Sequence, residues 1–229
     1  MKKLLALSPS AAVALALLLW GLSAPAEADD GGLYVGANLG LTLSTYSKGD
    51  LNNAVLAAFD NELTLQSSSL DKPKAPWWAD IGYMASPYFG VEASYLDLET
   101  LKYHAAGTET PPLGEKASVS TKLDITSRGP TLALIGALPL WNAWRVDGRA
   151  GVYLGKTSTS YTSQVGTNSN SGSESTTGAS LLVGIGGAYS FLGHCAVRLD
   201  YLYVNGVHEK VLGNSFNASL LTAGFMYAF

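Results

Sequence analysis

The chain has 229 residues, of which 47% are hydrophobic and only 14% charged, with 25 Gly, 12 Tyr, one Cys and a formal net charge of −4. Such a charge-poor, aromatic-bearing composition excludes a disordered chain, a single cysteine excludes an internal disulfide scaffold, and the acidic balance argues against a nucleic-acid binder. The order of the residues decides among the folded classes that remain.

The first segment reads as an address. Lys2 and Lys3 form a positive start, Ala11 to Leu22 an apolar run, and Ala24-Pro25-Ala26-Glu27-Ala28 a small-residue cleavage site. This is the layout of a secretory signal peptide, cleaved after Ala28 with Ala26 and Ala28 as the recognised residues. An uncleaved anchor fits poorly, because twelve residues rise about 18 Å against a hydrocarbon core of about 30 Å. Residues 1–28 are expected to be removed, leaving 29–229 as one domain. Cys195 lies far from the cleavage site, which excludes lipid attachment there. No later run of about 18 apolar residues predicts a transmembrane helix.

From Leu33 onward the chain alternates with period two. Leu33, Val35, Ala37, Leu39, Leu41 and Leu43 alternate with Tyr34, Gly36, Asn38, Gly40 and Thr42. Such alternation is a strand with one apolar face. Seven further strands follow: around Trp77–Tyr83, Val91–Tyr95, Leu132–Leu138, Val146–Leu154, Leu181–Tyr189, Val197–Tyr203 and Leu221–Phe229. Ile135 blurs the parity of the fourth. Short connections (Ser86-Pro87-Tyr88, Pro139 to Ala143, Phe191 to Cys195) alternate with long ones at about 46–76, 103–118, 161–177 and 205–215. An even strand number with alternating short turns and long external loops predicts an all-β, eight-stranded antiparallel up-and-down transmembrane β-barrel. Within the first long connection, Leu51, Val55, Leu56 and Phe59 share one face of a short helix at residues 51–59. The stretch from Thr157 to Ser180 is mostly Ser, Thr, Gly and Asn, which suits mobile loop or polar strand extension.

Which face looks outward follows from the polar parity. In a soluble sandwich or lipocalin-like barrel the apolar face points inward. Here the polar parity carries glycines together with Asp80, Glu92, Asp147, Arg149, Arg198 and Asp200. The apolar parity carries aromatics near strand ends, as interfacial Tyr and Trp do in membranes. Trp77, Tyr95, Tyr153, Tyr203 and Tyr227 are expected at an interface and Trp144 at the opposite rim, although Tyr153 falls on the inner parity. The apolar face therefore meets lipid.

The chain resembles the OmpA-type transmembrane domain, the small eight-stranded outer-membrane barrels of Gram-negative bacteria. The resemblance rests on Tyr34-Val35-Gly36-Ala37, Ile81-Gly82-Tyr83, Gly90-Val91-Glu92-Ala93-Ser94-Tyr95, Gly136-Ala137-Leu138-Pro139-Leu140, Arg149-Ala150-Gly151, Arg198-Leu199-Asp200-Tyr201 and the terminal Phe229. It spans about Gly32 to Phe229. It implies a bacterial outer-membrane location and a monomer. The implied partners are outer-membrane lipid and lipopolysaccharide, with the barrel assembly machinery and periplasmic chaperones during biogenesis. Phe225, Tyr227 and Phe229 look like the assembly recognition signal. Many relatives continue into a peptidoglycan-binding domain. This sequence ends at the barrel, so no cell-wall tether is expected.

Inward parity gathers Asp80, Glu92, Asp147 and Asp200 with Arg145, Arg149 and Arg198. Eight strands enclose an interior just wide enough for side chains, so these charges are expected to pair across it. In the family, an inward Glu and Arg are associated with closing a narrow water path, and here that centre is Glu92, Arg149 and Arg198. Plain filling of the lumen is favoured over gating. The expected role is non-enzymatic, structural or surface-interacting through the external loops. The alternatives are a narrow pore for water, ions or small solutes, and a lipid A-modifying enzyme. The deacylase-like His-x-Ser is missing at His104, His194 and His208, and His104 with Asp97 or Glu99 is the only residual acid–base candidate. No catalytic, cofactor or metal residue is assigned; His208-Glu209 lacks the second His of a zinc motif, and Cys195 is expected as a lone thiol at a turn.

Overall fold

The computed structural model describes residues 32–44, 46–59, 62–71, 73, 75–110, 116–140, 143–209 and 215–229. The cleavage residues Ala26 and Ala28 lie outside them. The elements in order are β1 (Gly32–Ser44), α1 (Lys48–Ala58), β2 (Leu63–Asp71), β3 (Trp77–Met84), β4 (Phe89–Glu109), β5 (Ala117–Pro139), β6 (Trp144–Val165), β7 (Asn168–Phe191), β8 (Cys195–Val207) and β9 (Phe216–Ala228). All pairings are antiparallel. β1 closes the ring, with Val35 opposite Ile81 of β3 on one side and Tyr227 of β9 on the other. Closure leaves no edge within the apolar belt, which hydrocarbon requires.

β2 adds no ninth place to the ring. β3 pairs with residues 90–97 of β4 and β2 pairs with residues 102–109, so the two occupy one edge of β4 in succession. Pro73 and Pro76 lie in the break between them. Proline has no amide to donate to a ladder. Opposite the break, β4 bulges between Asp97 and Thr100, and Glu99 takes a φ of 62°. The Glu99 amide donates to Asp97 Oδ1 at 2.8 Å, and the Glu99 carboxylate accepts the Ala75 amide at 2.6 Å. One extra residue flips parity. Leu96 and Leu98 point inward before the bulge, and Leu101 and Tyr103 after it.

The strands run longer than the alternation indicates. Residues 103–109, 117–118, 161–165 and 168–177, read from sequence as connections, are strand. Beyond the bulge β4 has lost its earlier parity, and β6 and β7 carry Ser and Thr on both faces there, so neither shows an apolar stripe. On β5 the outward face is apolar from Pro130 to Leu138 and polar from Arg128 to Ser118. From Pro130 to Leu138 the strand rises about 26 Å at roughly 3.3 Å per step, and the stretch is close to the 9–11 residues of a transmembrane strand. β4 to β7 therefore project well past the belt at the loop end, while β8, β9 and β1 stop near it.

Short turns close the other end. Ser86 Oγ accepts the amides of Tyr88 and Phe89 at 3.3 and 3.2 Å. Leu192 and Gly193 turn the β7–β8 hairpin with φ of 54° and 75°. Outside, Phe89, Leu132 and Leu134 expose 65–69% of their surface. A coat of such residues around a ring is incompatible with water and suits hydrocarbon. Among the described residues no helix is long and apolar enough to cross a membrane.

Aromatics mark both rims. Trp77 and Tyr95 lie 6.1 Å apart at the loop-side edge of the belt, and Trp144 and Tyr189 lie 5.0 Å apart at the turn-side edge. Two interfacial assignments are corrected. Tyr153 is fully buried inside the barrel, as its parity requires. Tyr227 lies at the turn end, opposite Cys195 and Val35, on the same rim as Trp144.

Candidate functional site: a lumen closed in three layers

The middle layer is ionic. Arg149 Nη2 donates to Asp200 Oδ1 at 2.9 Å and Asp147 Oδ1 at 3.1 Å, and its Nη1 donates to Glu92 Oε1 at 3.3 Å. Arg198 Nε donates to Asp200 Oδ2 at 2.8 Å, and its Nη1 reaches Asp80 at 3.2 Å. Its Nη2 lies 3.6 Å from Glu92 Oε2. Arg145 is the peripheral member, 3.6 Å from Asp147 and partly open. All seven residues named from inward parity thus meet in one network. Six are buried to 6% exposure or less.

Neutral neighbours complete the layer. Tyr34 donates its hydroxyl to Glu92 Oε2 at 2.9 Å, and Asn38 Nδ2 donates to Asp80 Oδ2 at 2.9 Å. The guanidinium carbons of Arg149 and Arg198 lie 4.6 and 4.7 Å from the Trp78 ring centroid. Buried, this contact adds cation–π attraction to the ion pairs. The sequence reading gave Trp78, Tyr34 and Asn38 no role. Their signal was parity alone: each shares the inward face, Trp78 two residues from Asp80. Glycines make the room. A Cβ at Gly186 or Gly36 would press into the carboxylates of Asp200 or Asp80.

Above this layer, toward the loop end, the lumen turns apolar. Leu96, Leu202, Leu220 and Val204 pack there with Tyr103 and Tyr153, nearly all fully buried. Tyr153 shares a hydrogen bond with Ser127 at 2.9 Å, and Thr157 donates to the same Ser127 at 3.0 Å. α1 seals this layer with Leu51 and Val55, the face expected of residues 51–59. Its start is fixed by a capping box between Ser47 and Asp50, and Tyr103 donates to Asn52 Oδ1 at 2.6 Å. After β8, Glu209 folds inward and accepts from Thr159 at 2.7 Å. A small cavity beside Leu98, Ser127 and Phe216 has about 10 Å³, the lower limit for one water.

Below the ionic layer, Tyr34, Met84, Ile135, Ala137, Ala196 and Met226 form a second apolar layer at the turn end. Ile135, which obscured the fourth strand's parity, belongs to it. Among the described residues a charged layer thus lies between two apolar ones.

Other candidates stay apart. His104 pairs with Lys122 and Asp97 with Arg128 on the outward face, six residues apart along β5, or about 20 Å. The carboxylates of Asp97 and Glu99 are already bonded to backbone amides. His104 thus has neither acid beside it. Cys195 is a half-buried free thiol at the start of β8. Among the described residues no group of three or more His, Cys, Asp or Glu could hold a metal.

A closed ring with a lipid-compatible coat and a filled interior defines an integral β-barrel membrane protein. The family model of the outer membrane protein beta-barrel domain matches residues 12–229. The chain belongs to that family, and its location is the bacterial outer membrane. Solved barrels resemble it at low identity. The N-terminal barrel domain of Pseudomonas aeruginosa OprF is 11% identical, covering 87% of this chain and 99% of that one, with a TM-score of 0.41. Neisserial surface protein A is 12% identical, covering 86% and 97%, with a TM-score of 0.42. The attachment invasion locus protein Ail of Yersinia pestis is 14% identical, covering 88% and 99%, with a TM-score of 0.38. No curated protein matches the chain in sequence.

Proposed function

We propose that the protein is a non-enzymatic, non-conducting barrel that anchors a projecting sheet at the cell surface, with a structural or surface-interaction role. One observation carries this reading: among the described residues an ionic layer is packed between two apolar layers inside the barrel, while β4 to β7 extend far past the apolar belt. Material invested beyond the membrane, around a lumen packed in layers, favours a surface role over transport. Family precedent places long loops outside the cell and short turns in the periplasm.

The ion-pair network of Asp80, Glu92, Arg145, Asp147, Arg149, Arg198 and Asp200 is structural filling in this reading. Planar-bilayer recording of wild type and Arg198→Ala tests it. Neither protein is expected to conduct, because both apolar layers remain in the variant. Current through Arg198→Ala alone would turn the network into a gate. Current through wild type would make the protein a pore.

The same reading assigns Phe225, Tyr227 and Phe229 to assembly recognition. Phe225 is exposed on the lipid face, and Phe229 packs edge-on against Tyr227 at 5.2 Å. Phe229→Ser is expected to lower assembled barrel in cells while refolding normally in detergent. Cleavage after Ala28 is checked by the mass of the mature amino terminus, expected at Asp29.

A further inference from the structure

Arg128 of β5 and Lys156 of β6 are register partners on the outward face of the barrel. Both are exposed. Neither forms an ion pair with a described carboxylate. Asp97, the other neighbour of Arg128 in this row, has Oδ1 engaged by the Glu99 amide. Like charges set directly opposite on one sheet face repel. Asp97 keeps its negative charge and offsets part of this repulsion, so the row of Asp97, Arg128 and Lys156 holds one positive charge in surplus, which an anion would neutralise.

The level of the pair says which anion. Immediately toward the turn end, the outward residues are Pro130 and Leu132 on β5, and Leu154 and Val152 on β6. Immediately toward the loop end they are Thr126 and Ser158. The two cations thus stand on the first row past hydrocarbon, level with the Trp77–Tyr95 aromatic edge. Lipid phosphates lie at that depth, and their acyl chains lie against the leucines below.

We propose that Arg128 and Lys156 form a binding site for the phosphate of a membrane lipid at the loop-end rim. Arg128 supplies a planar fork that grips two phosphate oxygens, and Lys156 supplies a point charge. A phosphate monoester carries about −1.5 to −2 charges, enough to neutralise that surplus. Leu132, Leu154 and Val152 continue the site for the acyl chain. This inference rests on the outer-membrane location and not on the closed lumen.

The test uses full-length protein refolded into phosphatidylcholine bilayers containing a small fraction of phosphatidic acid as probe. Retained lipid is measured by native mass spectrometry. Wild type is expected to retain phosphatidic acid about fivefold over phosphatidylcholine, the enrichment one surplus interfacial positive charge supplies. R128Q/K156Q is expected to lose that preference, while Lys122→Gln, three rows farther out, keeps it. Excess inorganic phosphate is expected not to displace the lipid. In pure phosphatidylcholine R128Q/K156Q should unfold at the same or higher urea than wild type, and with phosphatidic acid present the order should reverse. Equal selectivity in R128Q/K156Q and wild type, an equal loss in Lys122→Gln, or full displacement by inorganic phosphate would each overturn the proposal.

Discussion

Arg149→Met removes one of the two guanidiniums at the centre of the lumen network. Arg149 meets three carboxylates, Glu92, Asp147 and Asp200, within 3.3 Å and stacks on Trp78. The seven charged side chains comprise four carboxylates and three guanidiniums, and the substitution takes their sum from −1 to −2 (3 − 4, then 2 − 4). Asp200 keeps Arg198 at 2.8 Å, but Asp147 keeps only Arg145 at 3.6 Å. Leaving a buried charge without its partner costs about 3–5 kcal/mol. Methionine preserves much of the stem's volume, so this loss is mainly electrostatic. Removing the orphan as well, in R149M/D147L, should recover about 1–3 kcal/mol of it. The assay is urea unfolding of the refolded protein in vesicles, followed by Trp78-sensitive fluorescence and by gel migration of unboiled samples. A loss below about 0.5 kcal/mol for Arg149→Met, the range of ordinary surface changes, or simple additivity in the double variant, would refute the reasoning.

Tyr103→Phe deletes the bond to Asn52 and should cost about 1 kcal/mol. Its distinguishing mark is faster hydrogen exchange across Leu51–Ala58, with the belt strands unchanged. Burial, and then the negative charge of Glu209, push the Tyr46 phenol well above its ordinary value. The folded state thus holds that proton more tightly than the unfolded chain. The contribution is fully present below about pH 10, the unfolded value, and falls as pH rises beyond it. Melting between neutral and strongly alkaline pH should therefore fall less steeply in Tyr46→Phe than in wild type. Gly193→Ala should destabilise by about 1–2 kcal/mol, because its φ of 75° is left-handed. Gly136→Ala, where a Cβ meets nothing within 4 Å, should not.

The barrel was legible because a lipid coat writes itself at period two. Leu33 to Leu43 and Leu132 to Leu138 could face only one way, and the charges on the opposite parity then had one place to go. Asp147 and Arg149, or Arg198 and Asp200, are two residues apart and visibly share a face. The bond from Arg149 to Glu92 was not readable, since 57 residues separate them and only the register across β4, β5 and β6 brings them together. β2 escaped notice because its leucines, Leu63, Leu65 and Leu70, are thrown out of step by a shift between Leu65 and Ser67. The bulge at Asp97 to Thr100 hid the rest of β4 in the same way. The projecting halves of β6 and β7 gave no periodic signal, because a sheet wetted on its outer face and lined by Ser and Thr within needs no apolar stripe. The apolar seal under α1 was half visible: the helix face was readable, but its docking on Tyr103 was not.

The closed lumen is tested most directly by proton flux. Wild-type protein is refolded into vesicles loaded with a pH-sensitive dye, and the external pH is stepped. The account predicts decay no faster than in protein-free vesicles of the same lipid. Decay that quickens in proportion to the amount of folded barrel would contradict it.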